Sequence, residues 1–305
     1  MINSTSIVIV NWNAGTQLRT CIDSITRHSH GLVHQTIVVD NGSTDGSEVS
    51  VEDLPDVTLI RTGVNLGFGK ACNLGARQAR SDYLLFLNPD AALYADTLSK
   101  ALTYMQDPAN ATVGICGVQL LDNDGNATTS AARFPTLRVM TGKILGLDRL
   151  FPRVFPHHFM TSSDLQENGF VDQVIGAFFL IRRNVFDFCG GFDERFFVYF
   201  EEVDLSLRAK TLGYPSYFLS EVFAFHKGGG CSEQVKAARL FYSLRSRIYY
   251  AKKHYSRIEF IALLFLTSLE LPLRLIRGML RASWSDLINT FAAYSRLAAF
   301  FIRRI

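Results

Sequence analysis

Three carboxylates within four residues, Glu201, Glu202 and Asp204, follow an aromatic run made of Phe196, Phe197, Tyr199 and Phe200. Carboxylates beside apolar surface and beside one another cannot all ionise near their free pKa of about 4, so one of them is available as a proton acceptor. The structural alternative is that Glu201 and Glu202 complement a helix dipole while Asp204 pairs with Arg208 one turn on. Polar residues also close three apolar runs: Asn11, Asp40 and Asp90 each stand at or just after one. His226 precedes Lys227 and Gly228 to Gly230, where an imidazole either contacts metal or phosphate or is simply hydrogen-bonded. The stretch from Asn65 to Gly75, with Gly67, Lys70 and Asn73, could bring backbone amides to a phosphate; its glycines would equally permit tight strand-to-helix packing.

The elements that must hold these residues alternate. Ser6 to Val10 is an apolar, β-branched run that stops at Asn11-Trp12-Asn13, after which Leu18, Ile22 and Ile25 recur at helical spacing. The unit repeats with Thr36 to Val39 ending in Asp40, with Val57 to Ile60, and with Tyr83 to Leu87 ending in Asn88-Pro89-Asp90; Leu98, Leu102 and Met105 mark the next helix. Continuous apolar strands between helices predict an α/β fold with a mostly parallel sheet covered on both faces, and ligands of such sheets bind beyond the strands' carboxyl ends. Each of Asn11, Asp40 and Asp90 has a local reading as a cap or turn residue; the same placement three times favours a shared site. Residues from about Asp122 to Asn168 are less periodic and read as a long binding or lid connection, with His157 and His158 as exposed loop histidines. Val174 to Ile181 reads as one buried strand in which Gly176 and Ala177 leave room for a ligand. Val203, Leu205, Leu207, Ala209 and Leu212 suit a helix with a buried face.

A chain of 305 residues, 48% hydrophobic and 19% charged, builds a sizeable core and is not disordered. Its five cysteines are scattered without paired metal-ligand spacing, which argues against a zinc site and for reduced thiols in a cytoplasm. The first residues show no basic segment followed by a long apolar one, so no secretory signal is expected.

Charge is uneven. From Val235 onward thirteen Lys or Arg face only Glu259, Glu270 and Asp286, a surplus of ten positive charges in a chain whose net charge is +3. The tail reads as basic helices, with Arg274, Arg277 and Arg281 in one strip and Arg303-Arg304 near its end, and with no apolar run long enough to span a bilayer. Interfacial helices on an anionic membrane are expected; packing on the protein body or a homodimer is the alternative. Long apolar runs between the charges argue against nucleic acid.

SIVIVNWN, VVDNGSTDGS, NLGFGKACNLG, YLLFLNPDA, the segment from Val174 to Tyr214, and HKGGG occur in an order and spacing that resembles the inverting glycosyltransferases of family 2, most of all the rhamnosyltransferase-like branch of bacterial surface-polysaccharide enzymes. The likeness covers roughly residues 5 to 255. It implies a GT-A fold over residues 1–230, with a nucleotide-binding half to about residue 115 and an acceptor half after it, followed by a helical C-terminal region over 231–305. It implies a nucleotide-sugar donor, dTDP-rhamnose or else a UDP-hexose, a glycan or lipid-linked glycan acceptor, and magnesium or manganese. Asp40 matches the nucleotide-contacting aspartate, beside Asn11, Trp12 and Asn13. Asp90 matches the last acid of the metal motif, which here reads Asn88-Pro89-Asp90 and lacks its first acid. His226 matches a histidine that completes metal or diphosphate coordination in some relatives. Glu202 matches the general base, with Glu201 and Asp204 as the competing carboxylates. Arg245 and Arg247 are candidates for the diphosphate or a lipid phosphate. A non-catalytic nucleotide-binding protein at the membrane is the rival class.

Overall fold

The computed structural model describes residues 5–228 and 236–302. Gly229, Gly230, Cys231, Arg303 and Arg304 lie outside the described residues. The chain divides into two compact units, one of Met1–Phe134, Phe159–Glu194 and Glu201–Cys231, the other of Pro135–His158, Arg195–Phe200 and Ser232–Ile305.

In the first unit β1 (Thr5–Asn11), β2 (Val33–Asp40), β3 (Val57–Arg61), β4 (Tyr83–Leu87), β5 (Ala91–Leu93), β6 (Ile115–Leu121), β8 (Gly169–Val171), β10 (Phe178–Arg182) and β11 (Ser216–His226) form one sheet. Its order is β3-β2-β1-β4-β10-β6-β11-β5, with β8 on the side of β11. β3, β2, β1, β4, β6 and β11 run one way and β10, β5 and β8 against them, so the sheet is mostly parallel. A small second sheet pairs β7 (Ala131–Ala132) with β9 (Gln173–Val174).

The strands are continuously apolar because both faces are covered. Ile7, Ile9 and Val38 pack with Leu18, Ile22 and Ile25 of α1 (Gln17–His28) and with Leu98, Leu102 and Met105 of α3 (Thr97–Gln106). Val8, Val10, Ile37 and Val39 face the other way, toward Cys72 and Ala76 of α2 (Phe68–Gln78), Phe186 of α6 (Arg183–Phe188) and Leu205 of α7 (Glu201–Thr211).

Some elements differ from the pattern read in the sequence. Val174 to Ile181 is not one strand: the chain turns at Ile175–Ala177, with the Phe178 amide donating to the Ile175 carbonyl, and β10 then runs antiparallel between β4 and β6. β6, which no periodicity singled out, lies between β10 and β11. Leu212 stands beyond the last turn of α7 and is 52% exposed rather than buried. The connection after β6 carries α4 (Leu137–Leu145) and α5 (Leu147–Leu150), and His158 is buried, while His157 pairs with Asp148 at 3.1 Å.

The second unit adds α8 (Lys236–His254), α9 (Arg257–Leu280) and α10 (Trp284–Ile302) to α4 and α5. α9 opens with a capping box between Ser256 and Glu259 and continues through Pro272 as one helix. Leu244 and Ile248 of α8 pack with Leu297 of α10, and Val139, Met140 and Ile144 of α4 with Leu263 of α9. Phe197 stacks on Tyr242 at 4.5 Å, Ser246 donates to the Val198 carbonyl at 2.9 Å, and Phe200 lies against Tyr250. Tyr199 and Phe200 both adopt left-handed backbone, φ 67° and 71°, a strained state for bulky residues, in the two positions before α7 begins. Among the described residues no helix is long and apolar enough to cross a membrane.

Candidate active site

The carboxyl ends of the parallel strands gather the polar residues. Asn11 and Asp40 end β1 and β2 and face each other in register. The Asn11 amide donates to Asp40 Oδ1 at 2.9 Å, to Ser43 Oγ at 3.1 Å and to Ser47 Oγ at 2.8 Å. Asn13, with φ 54°, accepts from the Thr44 amide at 2.8 Å through Oδ1, and its own amide donates to Ser43 Oγ at 3.0 Å. Asp40 Oδ2 accepts from the Ser43 amide at 3.3 Å. The loops after β1 and β2 are thereby one unit, with Trp12 half-buried at its edge. Buried Asn11 Oδ1 has no hydrogen-bond partner.

The glycine-bearing loop is held by a residue that sequence reasoning passed over. Asn41 accepts from the Leu66 amide at 2.8 Å and donates to Asn65 Oδ1 at 3.1 Å, and Asn65 Oδ1 also accepts from the Gly67 amide at 2.9 Å. A Cβ at Gly42 would fall 2.8 Å from the Val64 carbonyl carbon, so only glycine lets the two loops meet. The available signal was the run Asp40 to Ser47, whose Asp, Asn, Ser and Thr side chains can each bond backbone locally. Gly67, φ 89°, caps α2, and Lys70 projects exposed from its first turn. Asn73 works as a clamp: it donates to the Phe192 carbonyl at 2.8 Å and accepts from the Phe192 amide at 2.9 Å.

Backbone pairing brings the third group together. The Asn88 amide donates to the Ala177 carbonyl at 3.1 Å, tying the end of β4 to the start of β10. Beyond Gly176 a Cβ would meet nothing within 4 Å, so the backbone there borders open space. β5 pairs with β11 so that Ala91 lies opposite His226, and this places His226 Nε2 3.4 Å from Asp90 Oδ1. Among the described residues no three or more His, Cys, Asp or Glu side chains could hold a metal by themselves. The Asp90–His226 pair nevertheless fits a divalent cation that takes its remaining ligands from phosphate oxygens and water, since magnesium-type sites commonly use one or two protein groups.

Glu201 and Glu202 open α7, where backbone amides and the helix dipole favour negative charge. Glu201 is 4% exposed and Glu202 half-buried, and an Oε2 of each is buried without a hydrogen-bond partner. Burial, then the neighbouring Glu202 charge, pushes the Glu201 carboxyl well above the usual carboxylate range. Burial also raises Glu202, with its own and the Val203 amide partly offsetting. Both shifts favour the neutral form, more strongly at the deeper Glu201. Gly69 makes this packing: a Cβ there would sit 3.2 Å from Phe192 Cβ and 3.5 Å from Glu201 Cβ. Asp204 is different, fully buried against Arg208 at 2.7 Å, while Arg208 also donates to the carbonyls of Cys189 and Gly191.

The two arginine candidates belong to the helical unit. Arg245 lies over the rings of Phe197, Phe241, Tyr242 and Phe300, 4.9–5.8 Å from their centroids. Arg247 is buried and bonded to Glu270 at 2.6 Å and to Thr267 at 3.1 Å.

Known proteins resemble this chain in sequence and in fold. The family model for glycosyl transferase family 2 matches residues 6–190. An N-acetylglucosaminyl-diphospho-decaprenol L-rhamnosyltransferase of Mycobacterium tuberculosis (strain CDC 1551 / Oshkosh) is 29% identical over 237 residues, 72% of this chain and 75% of that protein. Rhamnosyltransferase WbbL of Escherichia coli (strain K12) is 27% identical over 208 residues, 61% of this chain and 75% of that protein. Among solved structures, mannosyltransferase PcManGT from Pyrobaculum calidifontis, in complex with GDP-Man and Mn2+, superposes with a TM-score of 0.57 at 16% identity, over 98% of this chain and 88% of that one. With the match covering more than half of its length, the chain belongs to glycosyl transferase family 2 and is a nucleotide-sugar glycosyltransferase of GT-A fold.

Proposed function

We infer that the enzyme transfers rhamnose from dTDP-rhamnose to a lipid-linked glycan in bacterial surface-polysaccharide synthesis, with inversion at the anomeric carbon. The named relatives act as rhamnosyltransferases, one of them on a lipid-diphosphate-linked N-acetylglucosamine, and this motivates both sugar and acceptor. A UDP-hexose donor is the second reading. The observation that carries the mechanism is the unsatisfied carboxylate pair at the start of α7, in the same unit as Asp40, Asp90 and His226.

Glu202 takes the proton of the acceptor hydroxyl as that oxygen forms its bond to the anomeric carbon and the bond to the nucleoside diphosphate breaks. Glu201, whose neutral form burial and the Glu202 charge favour, keeps a second negative charge out of the site. Asp40, with Asn11, Trp12 and Asn13, receives the nucleoside, and Asn65, Gly67, Lys70 and Asn73 shape the approach to the diphosphate. Asn88, Gly176 and Ala177 border the sugar. Asp90 and His226 would hold magnesium or manganese, which when bound neutralises charge on the departing diphosphate. A lipid-linked acceptor keeps the enzyme at the inner face of the plasma membrane. Arg245 and Arg247 serve the helical unit's packing in this reading, not the diphosphate.

The test is a panel of thymidine- and uridine-diphosphate sugars by ligand-observed NMR with each cation. One donor binds selectively, and Asp90→Ala weakens it by roughly tenfold or more in a cation-dependent way. Binding of no donor with either cation would contradict the reading.

A further inference from the structure

The helical unit contains a cavity of about 280 Å³ lined by Lys236, Leu240, Arg274, Arg277, Gly278, Arg281, Asp286, Asn289 and Thr290. Lys236, Arg277 and Arg281 meet one carboxylate there, Arg274 being paired with Glu270 at 2.6 Å, and two polar side chains of α10 add a hydroxyl and an amide. Gly278 lets α10 pack closely on α9 beside them, since a Cβ at that position would meet Leu287 at 2.7 Å. None of these residues is used in the transfer chemistry, and such a set of donors recognises an anion with several acceptor oxygens.

The outer faces of the same helices identify its source. At 3.6 residues per turn Arg274, Arg277 and Arg281 share one side of α9, while Ile258, Ile261, Phe265, Ile276 and Met279 share the other. Phe265 is 68% exposed on that outer side and Trp284 of α10 is 77% exposed, with Ile288 and Phe291 following at helical spacing. α9 therefore exposes an apolar face to water, with Leu263, Thr267 and Glu270 buried and Ile258, Ile261, Phe265, Ile276 and Met279 outside. Two copies meeting through this face would bring together two tails that each carry a surplus of ten positive charges, which an anionic bilayer instead neutralises. An interfacial helix sinks its apolar side into the acyl boundary, and its opposite side, about 10 Å higher, lies at the level of the lipid phosphates.

We propose that the α8–α9–α10 cavity is a site for the phosphate of an anionic membrane phospholipid, seated while the outer faces of α9 and α10 rest in the bilayer. The proposal rests on the membrane location inferred above.

Full-length protein is floated with phosphatidylglycerol vesicles and with phosphatidylcholine vesicles, as wild type, as Arg277→Gln/Arg281→Gln, and as Arg277→Lys/Arg281→Lys. Wild type partitions to phosphatidylglycerol only, the Gln pair binds about thirtyfold more weakly, as expected for roughly 1 kcal/mol per arginine at an anionic surface, and the Lys pair keeps most of the binding. Trp284 emission shifts to the blue on binding, and melting temperature and donor turnover in detergent-free solution are unchanged in both variants. If wild type binds phosphatidylglycerol and the Gln pair binds equally well, the cavity site is wrong and the membrane location stands. If wild type binds no vesicle, both fail. Saturation by free inorganic phosphate or diphosphate without vesicle binding, or concentration-dependent dimerisation in place of flotation, likewise overturns the site.

Discussion

Glu201 and Glu270 are buried carboxylates in helices, and the molecule treats them in opposite ways. Burial pushes Glu270 upward, but Arg247 and Arg274, each at 2.6 Å, outweigh it and hold its carboxyl below the ordinary range. Glu201 and Glu202 have no cation in that position, keep oxygens without partners, and are raised. A carboxylate given two guanidiniums is a structural fixture; one buried beside its twin is a proton acceptor in waiting. Asp204 sits only two residues from Glu202, yet its ion pair with Arg208 puts it with Glu270.

The contrast can be broken at several points. Glu270→Ala leaves Arg247 buried without its carboxylate and should destabilise the helical unit by about 3–5 kcal/mol in denaturant melts. Because the folded pKa of Glu270 is depressed, its stabilisation is present above the free value of about 4.3 and is lost as pH falls through the folded value. Acid should therefore narrow the gap between wild type and variant. Asp204→Asn should cost less, about 1.5–3 kcal/mol for a charge-assisted bond, while retaining most transfer activity. Complete loss of transfer in a folded Asp204→Asn enzyme would move Asp204 to the reactive side of the comparison.

The smallest effect has the opposite sign. With its folded pKa raised, Glu201 binds a proton that the unfolded chain releases from about pH 4.3 upward, so native stability falls as pH rises from there to the folded value. Glu201→Gln removes that penalty and should melt higher than wild type at pH 8, with the difference vanishing near pH 4. A variant that melts lower at pH 8 would show Glu201 to be satisfied by a partner.

The sheet was legible because β1, β2 and β4 are apolar on both faces and stop abruptly at Asn11, Asp40 and Asn88. β6 and the reversed direction of β10 were not, since both depend on pairing partners far away in the chain. The polar residues at the strand ends and at the start of α7 were legible as types and positions, whereas their hydrogen-bond and ion-pair partners were not. Whether Glu201 or Asp204 is held in an ion pair is decided by Gly69 and Phe192 on one side and Arg208 on the other. Arg247 read as a candidate for the diphosphate or a lipid phosphate, because nothing local announces that Glu270 of the next helix will lie 2.6 Å away.

The most direct test compares donor binding and sugar transfer across pH for wild type, Glu202→Gln and Glu201→Gln. Glu202→Gln should bind the same donor with unchanged affinity and lose transfer by about 10²–10⁴-fold at every pH, the usual contribution of a general base. Glu201→Gln should keep most of the rate, with the acidic limb of the wild-type profile in place, because the amide mimics the neutral carboxyl that burial favours there. Near-normal transfer by Glu202→Gln, or a dead Glu201→Gln enzyme that still binds donor, would contradict the assignment of the base.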